Sequence, residues 1–134
     1  LLGDISNINL SIGDISARPL SGLPMDATAS LFANAQGNAS REDIALGLIC
    51  MVLQAIGSAA ILSSLKSGTR DFVLIGNLSR LPQCREVYTK LEKLYDVRFV
   101  IPENSEYCTA IGAALSYVNQ QQAAVAAQCK QVLL

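Results

Sequence analysis

An α/β fold is predicted by three observations. From residue 41 onward the chain reads as helix, strand, helix, strand, helix, the order of a right-handed parallel α/β unit. Phe72, Val73, Leu74 and Ile75 are consecutive apolar residues ended by Gly76, the pattern of a strand covered on both faces. The 134 residues, 51% of them hydrophobic, suffice for one core.

Taken in order, the first element is "NINLSIGDIS", residues 7–16. Ile8, Leu10 and Ile12 alternate there with Asn9, Ser11 and Gly13, the period-two pattern of a short half-buried strand. Residues 17–38 carry two prolines and two glycines and read as loop, with one helical turn near Thr28 to Asn34. Loops beyond ~12–15 residues tend to be functional or disordered.

Ser40, with Asp43 three residues on, resembles a capping box, and Gly68 after Lys66 reads as a C-terminal stop, so a helix is expected over 41–66. Its centre, Ile44 to Leu62, nearly reaches the ~20 apolar residues of a membrane span. Gln54 and Ser58 in mid-run, Glu42 and Asp43 at one end, and no basic asymmetry argue instead for a helix buried between layers or in a subunit interface. Gly47, Gly57, Ala59 and Ala60 permit close approach, within this chain or to a partner.

Pro82 fits the first turn of a helix running to about Leu94, with Cys84, Val87, Tyr88, Leu91 and Leu94 on one side. "VRFVIP", residues 97–102, is a second short strand stopped by proline. A last helix begins near Ser105 or Glu106, and its Ala110, Gly112, Ala113 and Ala114 suit close packing on a sheet. The tail "QQQAAVAAQCKQVLL" is expected to prolong it, with Val125, Cys129 and Val132 about one face apart.

Composition excludes several function classes. Ten basic and eleven acidic residues leave a formal charge of −1 with no block of either sign, and there is no tryptophan. Nucleic-acid binding and an anionic membrane surface are thereby disfavoured. Four cysteines without a C-x-x-C pair, and no histidine, exclude zinc-finger spacing and any Cys–His or Ser–His catalytic pair. A reducing, cytoplasmic compartment is expected, with Cys50 a small buried hydrophobe. No basic n-region with a cleavage site opens the chain, so the sequons at Asn9, Asn38 and Asn77 read as coincidence. A start at "LLGD" without methionine reads as a processed or cut fragment.

Ligands of open α/β sheets bind beyond the carboxyl ends of the strands. "IGNLSR" occupies such a corner: glycine lets the backbone turn, and Asn77, Ser79 and Arg80 bring donors and acceptors. The companion corner, "IPENSEY", carries Glu103, Asn104, Ser105 and Glu106. Glycine-asparagine is also a routine turn dipeptide, so pattern alone leaves turn and binding roles both open. The stretch is neither a Walker A motif nor a G-x-G-x-x-G fingerprint.

"NINLSIGDIS", "GLPMDATASLF", "SREDIALGLICMVLQAIGSAAILSSL", "FVLIGNLSR" and "PENSEYCTAIGAALSY", in that order, resemble the C-terminal half of type II pantothenate kinases. The likeness spans roughly residues 3–118. It implies the C-terminal lobe of an actin/Hsc70-like, ribonuclease H-like ATPase fold over 1–118, with a helical tail over 119–134. Such enzymes are cytoplasmic homodimeric transferases that phosphorylate pantothenate with ATP and Mg2+, the first step of coenzyme A biosynthesis. The resemblance implies Gly76 and Asn77 as ATP-binding residues, Thr28, Ala29 and Ser30 as a wall of the substrate pocket offered to the neighbouring subunit, and helix 41–66 as the dimer interface. It implies no catalytic or metal-binding residue here, because the family's D-x-G-x-T phosphate loop and catalytic carboxylate precede the matching part. The chain by itself is therefore expected to be inert.

This sequence departs from the family at Leu31, Ala33 and Leu78, where a small or amide residue, a glycine and an aromatic are usual. The helix that in the family follows the double leucine, before the match to Gly3-Asp4, is shortened or missing. The alternatives are a non-catalytic dimerisation or regulatory module of the same superfamily, and a related kinase acting on a sugar or small acid.

Overall fold

A computed structural model describes residues 3–35 and 37–132, with side chains through residue 123. The expected face of Val125, Cys129 and Val132 lies outside the described side chains, and Leu1 and Leu2 lie outside the described residues. Helices and short strands are mixed, as in an α/β protein: β1 (Leu10–Ser11), α1 (Ile12–Ile15), β2 (Thr28–Ser30), α2 (Arg41–Ser63), β3 (Asp71–Val73), α3 (Pro82–Tyr95), β4 (Arg98–Val100) and α4 (Cys108–Val132). The chain divides into two compact units, one of residues up to 72 together with 81–100, the other of 73–80 together with those from 101 on.

In the first unit, the strand expected over 7–16 is broken up. A 3-10 turn over Ile5–Asn7 precedes the two residues of β1, and the backbone then coils into the single turn of α1. The cause is local. Both the backbone N–H and the hydroxyl of Ser11 donate to the Asp14 carboxylate, each at 2.7 Å, so a capping box overrides the alternating pattern. Residues 28–30, expected as a helical turn, instead form β2, antiparallel to β1 with Leu10 opposite Ser30. The chain then turns at Phe32, whose φ of 64° is unusual for a bulky residue. Its ring is braced by lying where a side chain on Gly47 would stand.

The capping box predicted at Ser40 and Asp43 opens α2. The helix ends at Ser63, short of the expected residue 66, and a 3-10 turn over Leu65–Ser67 closes on Gly68 at φ 67°. One face of α2 looks inward through Asp43, Gly47, Leu53, Gly57 and Ile61. Its two inward glycines serve this chain's own packing: Ile8 and Phe32 fill the space beside Gly47, and Leu91 and Tyr88 that beside Gly57. The opposite face is also apolar but open, with Ile44, Leu48, Met51, Val52, Ile56 and Leu62 all exposed. The helix is therefore not buried all round as one between layers would be, although by length and composition it could cross a membrane.

Pro82 starts α3 as expected, and Cys84, Val87, Tyr88 and Leu91 form its buried side, with Leu94 half-buried. Strands β3 and β4 pair with each other. Phe72 stacks on Phe99 at 5.2 Å between centroids, and Tyr88 meets Phe99 at 4.5 Å, so an aromatic cluster ties the strands to α3. The predicted two-sided cover of 72–75 is not found: Phe72 is half-buried, but Val73 and Ile75 are 64% and 54% exposed.

The second unit is built on two short turns and α4. A 3-10 turn over Asn77–Arg80 packs on another over Ser105–Tyr107, which leads into α4. The helix runs on to Val132. Every described side chain from residue 109 to 123 is exposed, and nothing lies within 4 Å of where a Cβ on Gly112 would stand.

Candidate functional site

The second unit contains both polar corners singled out in the sequence, and it brings them together. Gly76 has φ 98°, a conformation that a side-chain-bearing residue rarely adopts. Its N–H donates to the Ser105 carbonyl at 2.8 Å. Its own carbonyl accepts from the Ser79 N–H at 3.2 Å and from the Ser79 hydroxyl at 2.7 Å. The Ser79 and Ser105 hydroxyls touch each other, and both residues are buried. Arg80 and Glu106 add an ion pair at 3.0 Å, with the Glu106 side chain only 16% exposed.

This wiring refines what Gly76 can offer. Its N–H is engaged and its carbonyl already accepts twice, so a ligand would meet the bare Cα surface rather than a free backbone donor. Space is available, since nothing stands within 4 Å of the absent Cβ. Asn77 is exposed, and its side chain has no hydrogen-bond partner among the described residues. Its amide is free to exchange hydrogen bonds with a ligand. Leu78, 48% exposed, adds apolar surface beside it.

Thr28, Ala29 and Ser30 lie in the first unit, exposed along β2. Thr28 also lines a cavity of about 690 Å3 shared with Gln54, Ser58, Lys90 and Tyr95, whereas Ala29 and Ser30 are not part of its lining. Gln54 donates to the Thr28 hydroxyl at 3.4 Å, and Lys90 pairs with Asp26 at 3.4 Å on the same rim. Arg85 and Lys93 bring further positive charge, and Leu91 and Leu94 supply apolar wall. The cavity thus combines an apolar body with hydroxyl and amide groups and with charges of both signs, Asp26 and Glu86 beside Arg85, Lys90 and Lys93, a lining suited to a small polar molecule with a short organic chain.

The cavity was legible only in part. Gln54 stood out as a polar residue inside an apolar run, but nothing in the pattern set it against Thr28. Lys90 and Tyr95 carried no signal beyond a helix's polar side. The Ser79–Ser105 contact joins residues far apart in sequence and no local motif announces it.

Cys50, Cys84 and Cys108 are free thiols. Burial pushes the Cys50 and Cys84 thiols up, which disfavours the thiolate, although Cys50 is half-buried rather than fully enclosed as expected. Among the described residues, no group of three acidic, cysteine or histidine side chains is placed to hold a metal ion.

Comparison with known families finds none that matches this chain. No curated protein matches it either.

Proposed function

We propose that the chain is the C-terminal lobe of a type II pantothenate kinase, supplying one wall of the ATP cleft and the dimer interface of an actin/Hsc70-like fold. The observation that carries this reading is the Gly76–Asn77 corner, which the sequence resemblance matches to the family's nucleotide contact: it is open beside a glycine that has no side chain to block a ligand, with an unengaged amide next to it. The ordered likeness of the five sequence segments supports it.

In this reading the adenosine part of ATP lies against the Gly76 Cα and hydrogen-bonds to Asn77. Mg2+ accompanies the phosphates and balances charge during transfer. The cavity that includes Thr28 receives pantothenate, with this stretch lent across the subunit boundary to the pocket; Arg85 and Lys93 suit its carboxylate, and Leu91 and Leu94 suit the alkyl part. The apolar outer face of α2 seats a second copy of the chain, because a solvent-facing helix side with Leu48, Met51, Val52 and Ile56 exposed needs a cover.

The test is an assay of the complete protein with pantothenate and MgATP, scored by formation of 4'-phosphopantothenate. Turnover supports the reading. Phosphorylation of a sugar or another small acid without pantothenate turnover overturns it in favour of a related kinase. The second reading, a non-catalytic dimerisation module, rests on the same α2 face and predicts self-association with no phosphorylation of any alcohol.

A further inference from the structure

We propose that Ser79 and Ser105 are positioning residues that set the Gly76–Asn77 corner for nucleotide, Ser105 acting through Ser79. The inference rests on the nucleotide reading above and adds to it the device that holds the corner in shape.

The argument is one of proton counting. A serine hydroxyl has a single hydrogen to donate. Ser79 Oγ lies 2.7 Å from the Gly76 carbonyl, which can only accept, so the Ser79 hydrogen is committed there. The contact between the two hydroxyls must then be donated by Ser105 Oγ into Ser79 Oγ. The Gly76 N–H returns to the Ser105 carbonyl at 2.8 Å, which closes the ring. Ser79 is 8% and Ser105 3% exposed, so water competes poorly for these bonds and neither hydroxyl is available to a ligand. Their effect on a ligand passes through the orientation of the Gly76 peptide groups and of Asn77 beside them.

Gly76 needs such support. At φ 98° its backbone has many alternatives, because glycine is free to leave this conformation at little steric cost. The Ser105 carbonyl holds its N–H and the Ser79 hydroxyl holds its C=O. Without Ser79 Oγ, the carbonyl keeps only the Ser79 N–H at 3.2 Å.

The experiment measures MgATP binding to the complete protein for wild type, Ser79→Ala, Ser105→Ala and the double variant, with melting temperature recorded alongside. Ser79→Ala is expected to raise the dissociation constant about tenfold and Ser105→Ala about threefold, the scale of one buried hydrogen bond. The double variant is expected to match Ser79→Ala, because the Ser105 hydroxyl has no separate route to the corner. Dissociation constants equal to wild type, or effects that multiply in the double variant, overturn the proposal while leaving the kinase reading standing. Wild-type protein that binds no MgATP overturns both. A purely structural role would lower melting temperature and leave the affinity of the folded protein unchanged. If Ser79→Ala does not fold, Ser105→Ala decides the matter, since it removes one bond and leaves both Ser79 donations to Gly76 intact.

Discussion

The Tyr88 ring lies against the bare Cα of Gly57: a Cβ there would stand 2.8 Å from Tyr88 Cε1, and Leu91 Cδ1 is nearer still. This is how α2 and α3 come together. Gly112 in α4 is the opposite case, with nothing within 4 Å. Alanine gains about 1 kcal/mol over glycine in a helix interior, while overpacking a core costs about 1–3 kcal/mol. Gly57→Ala is therefore expected to lose about 1 kcal/mol net and Gly112→Ala to gain about 0.5–1 kcal/mol. Urea unfolding of both variants checks this, and a stabilised Gly57→Ala would refute the packing account.

Asp43 predicts acid sensitivity. Its carboxylate accepts from the Asp4 N–H at 2.6 Å, the Ser40 N–H at 3.0 Å and the Asn7 amide at 3.1 Å. These bonds, the two backbone donors first, hold its pKa down to about 2 from 3.8. A carboxyl lowered in the folded state contributes stability that is fully present above the unfolded value and is lost as pH falls towards the folded one. The urea midpoint should thus drop between about pH 4 and pH 2, and Asp43→Ala should lower the midpoint at pH 7 and flatten that drop. A variant retaining the full wild-type acid transition would show that other groups govern it.

Gly76→Ala should cost about 1–2 kcal/mol, the penalty for a side chain in a left-handed backbone. Because the surroundings are open, Gly76→Leu should lose a similar amount rather than much more. Thermal melts of the two variants test this; a large gap between them would mean that the space beside Gly76 is occupied. Asn77→Ala should raise the MgATP dissociation constant about three- to tenfold with little change in melting temperature.

The outer face of α2 carries the association prediction. Leu48 and Ile56, 47% and 48% exposed, can take charge without disturbing the inward line of Asp43, Gly47, Leu53, Gly57 and Ile61. Leu48→Glu combined with Ile56→Glu should convert the proposed dimer to a folded monomer, read by sedimentation equilibrium and far-ultraviolet circular dichroism. Wild-type protein that sediments as a monomer would remove the dimer reading.

What the sequence revealed was what is encoded locally. Ser40 with Asp43, and Pro82 with the spacing of Cys84, Val87, Tyr88 and Leu91, place α2 and α3 because caps and helical faces are short-range signals. The same short range explains the miss at 7–16, where Ser11 and Asp14 form a capping box inside an alternating pattern. The sidedness of α2 was illegible because a helix apolar all round has no periodicity to show which face turns inward. At the candidate site the glycine corner was visible, and Ser79 and Ser105 stood out as polar groups of two separate corners, but the contact by which they brace Gly76 was not legible. Nor did the sequence reveal that Asp43, read as a helix cap, also binds Asp4 and Asn7.

The bond from the Gly76 N–H to the Ser105 carbonyl makes that amide a reporter. Its proton can exchange with solvent only when two stretches distant in sequence separate, so its exchange rate measures the opening of the whole corner rather than the fraying of one turn. A ligand seated against Gly76 would slow that exchange without touching the proton itself.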